Sequence, residues 1–439
     1  MKKILIVLLG VSFSFLLSAQ EVFDLQRCLQ IGLNRNYDIR MIRNEEQISD
    51  NNATIGNAGF LPTLDLTAGT SGTYNDVQQR PATGGETIKT NGVHNTTTNA
   101  GLNLGWMVFD GLKIQATYER LKELKKVGEL NTRLTIEDFI AQLTAEYYNY
   151  VLQNIRKSNL GSAVELSRER LRIVEARYNI GSMSRLDLQQ AKVDFNADSS
   201  KLIKQYETLH ASRIRLNELM SLDDVTQEIL IKDSLIAPDA LLEEQVLWEK
   251  TLGSNSNLLL AEKSKTLSRL DYKIVRSRNF PYLKLNAGYG YTLQGYGTGT
   301  YDRQQNLGFN YGVTLGFSIF DGMNRKREQK NARLEMQNRE LMFQQVELGL
   351  KADLANIWNA YCNNLKLLNL EQQNVLAAKE NYEIAIERYK LDDLSGIELR
   401  EAQNSLLEAN ERLSIAEYDT KICEISLMQI SGQVTEYLN

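Results

Sequence analysis

Two periodicities divide this chain. From Thr63, apolar and polar positions alternate: Leu64, Leu66 and Ala68 lie on one side, Thr63, Asp65 and Thr67 on the other. That is the period of a strand with one apolar face. A second run sets Ala100, Leu102, Leu104, Trp106 and Val108 against Asn99, Gly101, Asn103 and Gly105, and closes on Phe109-Asp110-Gly111. Residues 75–98 between them are rich in Gly, Asn and Thr and read as a polar loop. The pattern returns in the second half. Leu283, Leu285, Ala287, Tyr289 and Tyr291 form one strand face, and a Gly/Tyr/Gln loop covers about 294–305. Then Leu307, Phe309, Tyr311, Val313, Leu315, Phe317 and Ile319 alternate with Gly, Asn, Thr and Ser up to Phe320-Asp321-Gly322. The two FDG triplets stand 211 residues apart, and the Asp of each is placed to cap the helix that follows.

The rest of the chain reads as helix. Residues 24–57 form one helical stretch, stopped by Phe60-Leu61-Pro62. The four prolines are Pro62, Pro81, Pro238 and Pro281, so 82–237 and everything after 281 are proline-free. Proline breaks helix interiors, and these tracts can therefore hold very long helices. Residues 112–179 and 323–390 are rich in Leu, Glu, Lys, Arg and Ala; each would be roughly 100 Å long at about 1.5 Å per residue. Each is followed by a short polar turn and a returning helix. In the second copy Leu399, Ala402, Leu406, Ala409, Leu413, Ala416, Thr420, Cys423, Leu427 and Ile430 mark a heptad seam.

The turns are themselves a repeat. RYNIGSMSRLDLQQA at 177–191 matches RYKLDDLSGIELREA at 388–402, again with an offset of 211. Arg177 and Arg388, Tyr178 and Tyr389, Ser184 and Ser395, and Asp187 and Glu398 correspond. The chain thus consists of a first repeat over 20–220 with a hairpin at 60–110 and a hinge at 178–186, a linker over 221–240 containing Pro238, and a second repeat over 241–439 with a hairpin at 280–321 and a hinge at 389–397. Two short helices stacked end to end match one long helix in length. The hinges then fall at one end of the helices, the strands at the other, and the linker midway.

The strands carry the functional argument. An alternating strand can belong to a soluble sandwich. Here the apolar face is continuous, the other face is small and wettable, and the ends carry Trp106, Phe109, Tyr282, Phe317 and Phe320. Segments of about 10 residues with aromatic ends are the mark of outer-membrane strands. Four strands cannot close a barrel, and an open edge in lipid leaves backbone groups unpaired. Other copies must supply the remaining strands. At least a dimer is required, and a trimer gives about twelve strands and room for a wet lumen.

Composition narrows the classes. Lys2, Lys3, the apolar run 4–17 and Ser18-Ala19 read as a secretory signal over 1–19, cut after Ala19. The formal charge is −5 with the signal included, which argues against nucleic acid as a partner. Cys28, Cys362 and Cys423 are odd in number and far apart, so they make no disulfide framework. His94 and His210 lie near neither each other nor a cysteine, leaving no histidine metal cluster, no cofactor signal and no obvious catalytic base. An enzyme is not expected.

The paired FDG turns and the RYxxGxxSxxD-type hinges, in this order over nearly all of the mature chain, resemble the TolC family of outer-membrane factors. The resemblance implies an α+β membrane protein with two structural repeats, a homotrimer whose twelve-stranded β-barrel continues into a long periplasmic α-helical barrel. It implies a passive exit duct that docks a periplasmic adaptor (membrane fusion) protein and an inner-membrane pump of the RND or ABC type, seated in outer-membrane lipid. Docking would use the hinges: Arg177, Tyr178, Gly181, Ser184, Arg388 and Ser395. In such channels acids after the second hinge ring the periplasmic constriction, and these positions hold Glu398 and Glu401. Three chains would gather six carboxylates, a ring that favours cations. The same acids on a solvated helix face would do nothing of the kind. The resemblance further implies a closing hydrogen bond between Tyr389 and Asp187. Two positions depart from the pattern: Asp392 stands where the first hinge has Gly181, and Leu394 where a latch Arg is expected. Small-molecule efflux, type I protein secretion and a non-conducting periplasmic coiled-coil scaffold are the functions compatible with these features.

Overall fold

The computed structural model describes residues 22–239 and 242–438. The expected signal over 1–19 lies outside them. The elements in chain order are β1 (Val22–Phe23), α1 (Leu25–Arg35), α2 (Tyr37–Asn52), α3 (Ile55–Ala58), β2 (Thr63–Gln79), β3 (Ile88–Phe109), α4 (Lys113–Asn179), α5 (Arg185–Leu219), β4 (Leu230–Ile231), α6 (Glu244–Ser254), α7 (Ser256–Ser277), β5 (Tyr282–Gly295), β6 (Arg303–Gly316), α8 (Asn324–Lys390) and α9 (Gly396–Ile430), followed by a 3-10 turn over Val434–Leu438. No described helix is long and apolar enough to cross a membrane. The chain divides into two compact units, one of 42–133 with 256–348 and one of the remaining residues; α4 and α8 contribute to both.

The first of these units holds a four-stranded antiparallel sheet in the order β2-β3-β5-β6. Each hairpin pairs internally, and β3 with β5 joins the two, from Thr96 opposite Gly295 to Phe109 opposite Leu283. Among the described residues, β2 and β6 are paired on one side only. Leu307, Phe309, Tyr311, Val313 and Leu315 on β6 are all well exposed, as are Leu64 and Leu66 on β2. At Gly101 a Cβ would meet the Gly290 backbone at 2.9 Å, so this pair of glycines lets the two hairpins approach.

The first hairpin is longer than its alternation predicts. Residues 75–79 and 88–98, read as loop, are strand. Apolar alternation marks only the part of each strand that carries an apolar face. Beyond it, threonine-rich strand persists through ladder pairing and cross-strand bonds such as Thr70 to Thr98 at 3.0 Å. Conversely Phe317–Phe320 keep the alternation but lie beyond the end of β6. Each FDG turn works as its Asp suggests. Asp110 Oδ1 accepts the Ile114 N–H at 3.1 Å and Asp321 Oδ2 that of Arg325 at 3.0 Å. Leu112 (φ 71°) and Met323 (φ 65°) follow Gly111 and Gly322 into the left-handed region, a matched strain in both repeats.

The other unit is helical. Its core gathers Cys28, Leu29, Ile39, Ile140, Leu143, Tyr147, Val151, Leu216 and Met220. The helix expected over 24–57 is three helices. The principal break is at Asn36, whose Oδ1 caps Asp38 and Ile39 and whose Nδ2 donates to the Leu219 carbonyl at the end of α5. The second repeat builds the same joint: Asn255 divides α6 from α7 and donates to the Ile430 carbonyl at the end of α9, 2.9 Å away. In each repeat, therefore, the end of the returning helix meets the start of a short helix. The expected linker over 221–240 contains a structured piece: Leu230–Ile231 pair in parallel with Val22–Phe23. A buried ion pair, Lys421 with Glu424 at 2.6 Å, fixes the end of this linker, since Glu424 also accepts the Asp239 N–H and the Tyr437 hydroxyl, each at 2.7 Å.

Candidate functional site: the paired hinges

Both hinges start from the same helix ending. At the first, the Ser182 N–H donates to Arg177 O at 2.9 Å and the Gly181 N–H to Tyr178 O at 3.0 Å, with Gly181 at φ 78°. At the second, Asp393 donates to Arg388 O at 3.0 Å and Asp392 to Tyr389 O at 3.2 Å, with Asp392 at φ 62°. This paired-bond, left-handed C-cap normally takes Gly; Asp is among the few side chains that tolerate it. The departure at Asp392 therefore leaves the backbone of the hinge unchanged.

Both hinges also end alike. Ser184 Oγ accepts the Asp187 N–H at 3.2 Å, and the Asp187 carboxylate accepts the Ser184 N–H at 3.1 Å and hydroxyl at 2.7 Å. Ser395 and Glu398 repeat this, in the same order, at 3.3, 2.9 and 2.7 Å. These are reciprocal capping boxes. The serine hydroxyl and backbone N–H hold the Asp187 carboxyl below the usual carboxylate range, and Ser395 does the same for Glu398. The acids that the repeat singles out are thus first of all caps. Glu401 is exposed one turn further along α9.

The expected Tyr389–Asp187 hydrogen bond is not made. Asp187 is engaged with Ser184, while Tyr389 is 2% exposed and its hydroxyl has no hydrogen-bond partner among the described residues. Burial raises the phenol pKa. What joins the hinges is Arg177, which bonds the Asp392 carboxylate, reaches Lys390 O at 3.4 Å, and lies 5.4 Å from the Tyr389 ring centroid. Arg388, its counterpart, braces its own hinge through Asp393 at 3.0 Å. Leu394 packs with Ile173, Met183, Tyr382, Ala385, Tyr389 and Leu399 as an apolar plug. Tyr178, Ile180, Leu186, Leu391 and Ile397 are exposed apolar side chains around the two turns.

Deeper along the same helices lies a cluster that the repeat did not reveal. Arg400 on α9 grips Asp198 on α5 with two bonds of 2.6 and 2.8 Å. Ser167 on α4 donates to the same carboxylate, and Gln403 donates to Ser167 Oγ at 3.3 Å. Asp198 is 1% exposed. Burial pushes its pKa up, but the Arg400 and Ser167 bonds and the Arg400 charge outweigh it, and the carboxyl stays low. Arg170 pairs with Asp194, which also accepts from Gln190 at 3.0 Å. The signal was available in reverse: at the 211-residue offset Asp198 faces Ala409, Arg400 faces Gln189 and Asp392 faces Gly181. Each of these cross-repeat links has at least one residue at which the repeats differ.

The outer membrane efflux protein family model matches residues 28–221 and 247–433. The chain belongs to the outer membrane efflux protein family. It is 21% identical to the outer membrane protein TolC of Vibrio cholerae, over 99% of this chain and 97% of that one. It is 22% identical to the proteases secretion protein PrtF of Dickeya chrysanthemi, over 98% and 92%. Among solved structures, the Campylobacter jejuni CmeC outer membrane channel superposes with a TM-score of 0.78 at 18% identity, covering 93% of this chain and 85% of that one. The fold is that of TolC-like outer-membrane channels, and the chain is a protein of the outer membrane that extends into the periplasm.

Proposed function

We propose that three copies of this chain close a twelve-stranded barrel and form the passive exit duct of a tripartite efflux system for small molecules, receiving them from an inner-membrane pump through a periplasmic adaptor. The observation that carries this reading is the four-stranded sheet. Among the described residues its outer strands β2 and β6 are paired on one side only, and it presents exposed apolar rows. Unpaired edges are not tolerated in lipid, and β2 and β6 of successive copies supply each other's missing partner. The two-repeat division at 20–220 and 241–439, with a linker at 221–240, is the reading that the doubled joints and hinges support.

The hinges are the proposed periplasmic mouth and adaptor-docking surface. Arg177, Tyr178, Gly181, Ser184, Arg388 and Ser395 shape the turns, and Glu398, Glu401, Asp187 and Tyr389 belong to the gate. Supporting this are the polar links that join the two hinge regions, Arg177 to Asp392 and Arg400 to Asp198, together with exposed apolar tips. A second reading, the outer-membrane component of a type I secretion system, draws on the protein-secretion relative PrtF.

Planar-bilayer recording on the purified protein tests the duct. The expected result is ion conductance that rises and loses cation preference when Glu398 and Glu401 are both replaced by Ala. An inserted trimer that stays silent with both replaced would sink the duct reading. Loss of drug export, against loss of a secreted protein, in a deletion strain separates the two cargoes.

A further inference from the structure

Between the hinges lies a cavity of about 410 Å³. Its walls are apolar: Val174, Met183, Leu186, Ala191 and Ile397 line it. The charged groups at its edge are already occupied. Asp187 is tied into its capping box, Asp194 is paired with Arg170, and Arg400 is paired with Asp198. Two donors among the lining residues are not occupied. The Tyr389 hydroxyl and Arg170 Nη1 are buried without a hydrogen-bond partner among the described residues, in residues 2% and 7% exposed. A chain that satisfies every acid around a cavity and leaves two donors orphaned lacks an acceptor there. Buried donors are normally paired, and each exception calls for a cause. The volume falls in the range of small-molecule sites, which combine apolar walls with a few placed polar groups.

The geometry points to a binding site for a small amphipathic anion, its apolar body against Val174, Met183 and Ile397 and its acceptor head on Tyr389 Oη and Arg170 Nη1. Leu186 and Ile397 leave the rim of the cavity exposed, but both donors are closed to solvent, so an occupant's head reaches them only when a wall yields, and Met183, unbranched and half-buried, is such a wall. Because the cavity is lined by Leu186 and Asp187 of one hinge and Ser395 and Ile397 of the other, an occupant touches both and ties them together.

Photolabelling tests this without recourse to conductance, so its failure and that of the duct reading are distinguishable. The protein in lipid nanodiscs is irradiated with para-benzoylbenzoate, a two-ring carboxylate, and the adducts are mapped by peptide mass spectrometry. Saturable labelling of 183–191 or 389–400 is expected. It should fall about five-fold in Tyr389→Phe, the scale of one lost hydrogen bond. It should also fall in Leu186→Trp, which narrows the cavity from an exposed position. Uncharged benzophenone should label more weakly. Equal labelling by the two probes would overturn the donor assignment. Unlabelled hinges, with Met183→Cys cross-linking to a second copy, would show a cavity filled by a neighbouring subunit and would overturn the proposal.

Discussion

Asp198 and Arg400 make the strongest single-residue claim. A bidentate pair this buried is not dependable evidence of net stabilisation, but removing one partner strands the other, at a cost of about 3–5 kcal/mol. Asp198→Ala and Arg400→Ala should each destabilise by that order, and the double variant by much less than their sum. Urea unfolding of the four proteins measures the coupling; additive losses would show that the pair is idle. The hinge acids behave differently. Ser184→Ala or Ser395→Ala should cost about 1 kcal/mol, the usual worth of an N-cap. Asp187 and Glu398 are held below their ordinary range by their serines. Their folded values being depressed, the stabilisation is present above the unfolded carboxylate range of about 4 and is lost as pH falls through the folded value. Protection against hydrogen exchange in the first turns of α5 and α9, taken relative to the intrinsic rate at each pH, should therefore fall below about pH 4 and stay flat from 5 to 8. Both acids were legible as repeated positions. Their capping role was equally legible, since Ser-x-x-Asp and Ser-x-x-Glu stand at the two helix starts, but a repeated acid beside a turn invites a functional reading before a structural one.

At the scale of elements, the sequence marks what periodicity can mark. Alternation located all four strands, and proline-free tracts located α4 and α8 to within a residue or two. Strand ends were misplaced wherever polar residues pair without an apolar face, as in 88–98. The joints at Asn36 and Asn255 were missed because an Asn inside a helical pattern is only mildly unfavourable; what ends the helix is a carbonyl brought from about 180 residues away, at Leu219 or Ile430. The turn glycines permit an element-level test. At Gly111 (φ 70°) a Cβ would sit 2.3 Å from Ser277 O, whereas at Gly181 (φ 78°) it meets nothing within 4 Å. Gly111→Ala should abolish assembly of the strand-to-helix turn, visible as loss of heat-resistant protein on gels. Gly181→Ala should cost only about 1 kcal/mol of backbone strain. Comparable losses at the two sites would refute the packing argument.

For the whole molecule the questions are how copies join and what the mouth does. If β6 faces lipid, Val313→Arg, in the middle of its apolar row, should weaken membrane insertion by about 2–4 kcal/mol, while Asn310→Arg on the opposite face should insert normally and alter conductance. The mouth requires a finer instrument, because Glu398 serves two ends. Its carboxylate caps α9, so Glu398→Ala removes a charge and loosens the helix start together. Glu398→Gln separates them, since a Gln at the third helical position still completes a capping box. Glu401 is exposed one turn on, and Glu401→Gln removes charge alone. If the acids act as a selectivity ring, Glu398→Gln and Glu401→Gln should each lower cation preference in bilayer recordings with little change in hinge stability, and the double change should lower it further. If Glu398 matters only as a cap, Glu398→Gln should conduct like the unaltered protein and Glu398→Ala should open the mouth by loosening α9. Arg177→Ala then serves as the control for hinge coupling. It releases Asp392 and Tyr389 without touching either ring acid, and should raise conductance with selectivity unchanged.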